Sequence, residues 1–142
     1  MSSMMSPDEV KRFLAYGTRT AKLATVRADG RPHVVPVWFV LDGDDIVVTT
    51  GTTTVKAAAM RRQPRVALCV DDETPPYAYV TVDGTATVDP AAPNVLAWAT
   101  RIAARYMGAD QAEAYGRRNA VPGEALVRVT PTKIIAEKDV AV

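Results

Sequence analysis

The segment Thr49-Thr50-Gly51-Thr52-Thr53-Thr54-Val55-Lys56 gathers residue types suited to holding an anion. It falls between the end of an apolar run and the start of an alanine-rich one, where a strand should hand over to a helix. A helix start presents unpaired N–H groups and a partial positive charge. Gly51 permits close backbone approach, the threonine hydroxyls can donate, and Lys56 adds a full charge in the first turn. Phosphate is the natural partner. Ordinary capping by Thr53 or Thr54, with Lys56 in solvent, accounts for the same residues. The glycine and lysine spacing of a P-loop is absent. At ~100° per residue Arg61 lies far round the helix from Lys56, whereas Met60 and Gln63 share its face. Arg61, Arg62 and Arg65 therefore read as surface or interface charges, or at most as contacts to a long anionic tail.

Other reactive side chains are few. His33 is the sole histidine and opens a strand without an evident partner, as a half-exposed strand histidine does. Cys69, between Leu68 and Val70, reads as an inert core thiol. Tyr77 and Tyr79 follow Pro75-Pro76 and are spaced to project from one strand face, where they could stack on a planar ligand or pack across strands. No Ser-His-Asp set and no spaced metal-ligand set can be assembled.

These residues need elements to hold them. Ser6-Pro7-Asp8-Glu9 carries a capping serine, an N1 proline and an N3 glutamate, so Pro7 to Tyr16 should be a short helix. Strands are expected at Ala21–Arg27, His33–Leu41 and Ile46–Thr50. Tight turns at 28–32 and 42–45 would join them into an antiparallel meander. The second strand is apolar without alternation, so both faces need cover: the core on one side, and a helix, ligand or second subunit on the other. Pro36 in its middle cannot donate to a ladder, which implies an edge, a bulge or a gap. A helix at Val55–Gln63 ends before Pro64. Strands follow at Val66–Val70 and Tyr77–Val88, with a bulge at Gly84. Helices at Pro93–Met107 and Asp110–Asn119 precede closing strands at Ala125–Val129 and Lys133–Ala136. Short, mostly sequence-adjacent strands with a few helices suggest a small barrel, mainly β with helices (α+β), in one domain over 1–142.

The chain has 142 residues, one Cys, one His and a formal net charge of +1. That excludes a disulfide framework and a Cys-rich zinc site. It gives no global argument for nucleic acid or acidic membranes. No apolar stretch approaches the ~20 residues of a membrane span. Met1 to Glu9 lacks the basic-then-apolar pattern of a signal peptide, so a cytoplasmic location is expected.

Ala24-Thr25 followed by Asp29-Gly30-Arg31-Pro32, the Lys56 helix ending in Arg62-Gln63-Pro64-Arg65-Val66, and Asp83-Gly84-Thr85-Ala86 occur in a specific order. From Val10 to Val88, and more weakly from Val127 to Ile135, the chain resembles the flavin/deazaflavin split-barrel family related to pyridoxamine 5′-phosphate oxidase. It is most similar to the actinobacterial branch that uses the deazaflavin coenzyme F420. The resemblance implies a homodimer of split, FMN-binding-like β-barrels with cofactor in a groove between subunits. It implies that Thr50, Gly51, Thr53, Thr54 and Lys56 hold the cofactor phosphate and that Val35, Pro36 and Val37 flank the ring. Trp38, Tyr77 and Tyr79 would line the substrate pocket, in part from the partner subunit. Some relatives carry arginine where this sequence has Thr54, so the phosphate site is less charged here. The arginine-rich flavin mononucleotide (FMN) pattern of the true oxidases is also not evident.

The expected activity is hydride transfer from reduced F420 to an unsaturated or quinone-like small-molecule acceptor. The cofactor would carry the redox chemistry, which suits a sequence without an acid–base pair. The alternatives are an FMN-dependent oxidoreductase of the same fold and a non-catalytic protein binding F420, haem or another tetrapyrrole.

Overall fold

In a computed structural model that describes all 142 residues, local sequence signals build most elements as expected. Strand β1 (Ser3–Met4) leads into helix α1 (Pro7–Ala15). At the head of α1 the Ser6 hydroxyl accepts from Glu9 N–H and the Glu9 carboxylate accepts from Ser6 N–H. Strands β2 (Ala21–Val26), β3 (Pro32–Val37), β4 (Val40–Asp42) and β5 (Asp45–Gly51) follow. Helix α2 (Val55–Arg62), strands β6 (Arg65–Asp72) and β7 (Ala78–Asp89), helices α3 (Val95–Met107) and α4 (Ala112–Asn119), and strand β8 (Glu124–Lys138) complete the chain.

Every strand pair is antiparallel. The sheet order is β3-β2-β6-β7-β8-β5-β4, with β1 added to β8. The expected second strand is thus two strands. It stops at Val37, and Val40 resumes at the opposite edge of the sheet. The first strands form two hairpins and no meander, because β3 and β4 do not pair. The curled sheet brings its two edges together at Trp38-Phe39 but leaves them unbonded, which makes a split barrel.

The backbone at this split is satisfied from α3. Phe39 N–H donates to the Tyr106 hydroxyl at 3.2 Å, and that hydroxyl donates to the Arg19 carbonyl at 2.8 Å. The Arg105 guanidinium donates to three carbonyls, Gly17 at 2.9 Å, Phe39 at 2.7 Å and Leu14 at 2.7 Å. A buried carbonyl needs such a partner, and one side chain serves those of Leu14 and Phe39 as well as the exposed one of Gly17.

The two expected closing strands are one long strand. Thr132 is the extra residue of a bulge, with Gly84 opposite Pro131 and Asp83 opposite Lys133. A Cβ on Gly84 would stand 2.7 Å from Val129 Cγ1 and 2.9 Å from the Thr130 carbonyl oxygen, so only glycine fits there.

The core fills the barrel with Leu23, Phe39, Ile46, Val48, Leu68, Val80, Val82 and Val127, capped by Leu14 of α1 and Met60 of α2. Burying each such side chain contributes about 1.5–3 kcal/mol. Val47, Trp98 and Leu126 form a smaller cluster where α3 covers the outside of β5 and β8. No helix is long and apolar enough to cross a membrane.

Candidate functional site

Thr50, Gly51, Thr53, Thr54 and Lys56 do form one loop at the head of α2. Thr54 is the cap: its hydroxyl accepts from Ala57 N–H at 3.2 Å and donates to the Gly51 carbonyl at 2.9 Å. Buried Thr50 approaches the same hydroxyl at 3.2 Å. These two hydroxyls therefore build the loop and are not free for a ligand. What remains open is backbone and charge. The N–H groups of Thr53, Val55 and Lys56 have no partner within the chain. Lys56 makes no ion pair. Unpaired amides beside an unpaired ammonium suit an anion.

Arg61 is exposed, as expected of a surface charge, but its side chain folds back and donates to the Thr52 carbonyl at 2.6 Å. Its charge therefore sits over the loop, although its Cβ points elsewhere. A helical wheel locates the Cβ and does not limit the reach of a long arginine. At the tail of α2, Arg62 donates to the Val26 carbonyl at 2.7 Å, and Val26 lies opposite Pro32 of β3. Helix α2 thus spans from the loop to the turn end of the β2–β3 hairpin.

Strand β3 is an edge, paired only with β2, and Pro36 sits on it as an edge proline can. Val35 and Val37 pack into the core, while Val34 and Pro36 face out. A ring beside β3 would therefore meet Val35 and Val37 through their backbone. Across the sheet, Pro36, Lys22, Cys69, Thr81 and Ile135 form one outward row. Val34 is 63% exposed and Ile135 42%, so apart from Lys22, which pairs with Asp71, this face is largely apolar and uncovered. Only the Trp38-Phe39 half of the expected two-sided strand has its cover, from α3. Cys69 belongs to the outward row and not to the core; burial still pushes its thiol up, away from thiolate.

Trp38 stacks on Tyr106 with ring centroids 4.9 Å apart and planes 5° off parallel. Tyr77 is not on the strand: it precedes β7 with φ of 68°, and its side chain is exposed. Tyr79 is half-buried within β7, and burial, followed by the Glu137 carboxylate opposite, pushes its phenol up. The chain brings neither tyrosine to the loop. They lie at the start of β7, whereas α2 meets the strand further on, where Ala86 N–H donates to the Pro64 carbonyl at 2.8 Å.

Sequence reasoning missed Arg105 and Tyr106, because their partners lie more than 60 residues away and no local spacing marks them. It also missed an apolar cavity of about 590 Å³ under α1, lined in part by Val10, Leu14, Leu41, Ile46 and Ile134. That cavity touches the start of β5, the far end of the strand from the Thr50–Lys56 loop. No three His, Cys, Asp or Glu side chains converge as a metal site.

Residues 6–138 match the pyridoxamine 5′-phosphate oxidase family. The chain belongs to that family. Its barrel is the family's flavin-binding oxidoreductase fold. Among solved structures it is similar to a conserved hypothetical protein, Rv2991, from Mycobacterium tuberculosis: 26% identity over 95% of this chain and 86% of that one, TM-score 0.83. It is also similar to an F420 reductase, 29% identical over 87% of this chain and 94% of that one, TM-score 0.68. The haem storage protein HutZ from Vibrio cholerae shares the fold at 20% identity, 94% and 96% coverage and TM-score 0.72. No curated protein matches.

Proposed function

We propose that this member of the family is an oxidoreductase that binds coenzyme F420 and passes a hydride from its reduced form to an unsaturated or quinone-like organic acceptor. The observation that carries this is the open anion site at the head of α2, where three free N–H groups and an unpaired Lys56 meet in a fold of flavin-binding oxidoreductases. The likeness to an F420 reductase favours the deazaflavin.

The bound cofactor supplies the hydride chemistry. The chain supplies position. The Thr53, Val55 and Lys56 amides and the Lys56 ammonium hold the phosphate. The open edge of β3 offers backbone groups to the ring, and Pro36, which has no N–H to donate, opposes pairing of that edge with another strand. Tyr79 stays a neutral phenol, able to hold or give a proton. The uncovered outward row through Pro36, Cys69 and Ile135 packs against a second copy, which excludes water from the groove and brings the partner's tyrosines toward the acceptor.

An FMN-dependent activity is the second reading, favoured by the family match itself. Equilibrium titration of one apo preparation with both cofactors tests the pair. F420 should bind and FMN bind more weakly; retention of FMN without F420 gives the second reading, and binding of neither overturns both. Lys56→Ala should cost about 1.5–3 kcal/mol of cofactor affinity, the scale of a charged hydrogen bond.

A further inference from the structure

Opposite Gly51 in the β5–β8 ladder stands Glu124, half-buried, and the two segments are further tied by Thr52 N–H donating to the Gly123 carbonyl at 2.8 Å. A carboxylate is an unexpected neighbour for an anion site. Burial pushes the Glu124 carboxyl up, while Thr49 and the charge of Lys56 pull it down, so its field and that of Lys56 overlap. The charged side chains that these contacts tie to the loop are Lys56, Arg61 over the Thr52 carbonyl, and Glu124. Two positive charges against one negative leave a single net charge to be neutralised. Coenzyme F420 joins its side chain through a phosphodiester, which carries one negative charge. FMN ends in a phosphomonoester, which carries close to two at neutral pH.

We propose that Glu124 is a specificity-determining residue, which sets the Thr50–Lys56 loop to accept a singly charged phosphodiester and to disfavour a doubly charged phosphomonoester. This rests on the reading of that loop as the phosphate site. The repulsive element is as much a part of selectivity as the attractive one, since discrimination is a difference between two affinities. Repulsion scales with the charge of the phosphate group seated in the loop, so removing the carboxylate should help a doubly charged monoester more than a singly charged diester whose side-chain carboxylates lie further out.

The test is titration of wild type, Glu124→Gln, Glu124→Asp and Lys56→Ala with FMN, F420 and phosphate-free riboflavin at about pH 8, where the monoester is fully ionised. Glu124→Gln should tighten FMN about tenfold and F420 about threefold, and leave riboflavin unchanged. Glu124→Asp, which keeps the charge, should keep wild-type discrimination, and it serves as the folding control through its melting temperature. The proposal is overturned if Glu124→Gln tightens riboflavin as much as FMN, which would be an effect of shape. It is also overturned if FMN affinity stays put while Lys56→Ala still weakens both phosphorylated cofactors. If Lys56→Ala is silent for both, the phosphate lies elsewhere, and the loop assignment falls together with the role of Glu124.

Discussion

Thr54 shows how one side chain can settle a local structure and leave the chemistry to its neighbours. Its hydroxyl caps α2 and ties back to Gly51, so the loop is rigid before any ligand arrives. Binding then costs little ordering, which is what preorganisation means for affinity. Gly84 is equally specific. Its Cα faces Val129 and the Thr130 carbonyl across the bulge, and backbone cannot retreat as a flexible side chain can. Gly84→Ala should therefore destabilise the protein by about 1–3 kcal/mol, read as a lower urea midpoint, with cofactor affinity of the folded fraction unchanged.

Between elements, single polar side chains carry long-range connections. Arg105 ties α3 to the end of α1 and to the split between β3 and β4. Arg105→Met keeps the apolar stem but strands the Leu14 and Phe39 carbonyls, and chemical denaturation should show a loss of about 2–3 kcal/mol. Helix α1 is pinned to β8 by Lys138 and Glu9, 2.5 Å apart. The Lys138 hydrogen bond, helped by Ser6, holds the Glu9 carboxyl at about 2 against an ordinary 4.5. A lowered folded value means stability that is present above 4.5 and lost as pH falls toward about 2. The melting temperatures of wild type and Lys138→Met should differ at neutral pH and converge through that window; a gap that persists in acid would refute the linkage.

The same contrast explains what could be read in advance. Helix α1 was legible because its cap, proline and glutamate are neighbours in sequence. The bulge at Gly84 was legible because a glycine inside a strand has few other uses. The break at Trp38-Phe39 was not, since nothing in an unbroken apolar run says that an arginine and a tyrosine of a distant helix will claim the Phe39 backbone. The anion loop was legible as residue types. Its free groups were not, because capping could as well have used Thr53, and Arg61 was misjudged by treating a flexible side chain as a direction.

At the scale of the whole molecule the uncovered sheet face dominates. A row across five strands that is apolar or small except at Lys22, which Asp71 neutralises, is a surface that a two-fold dimer can hide. Sedimentation should give a dimer for the wild type, while Ile135→Asp should shift it to monomer and weaken cofactor binding with it; a monomeric wild type would remove the partner from the site. The split barrel has one more consequence, for the order in which the chain can fold. Strand β8 lies inside the sheet between β7 and β5, yet it is made after both. On the ribosome the β2–β3, β4–β5 and β6–β7 hairpins can form early from short-range pairings, but β7 and β5 each keep a bare edge that only β8 can fill. Barrel closure is therefore a late, zipper-like event, and the interval before it is when nascent chains are most exposed to edge-to-edge aggregation.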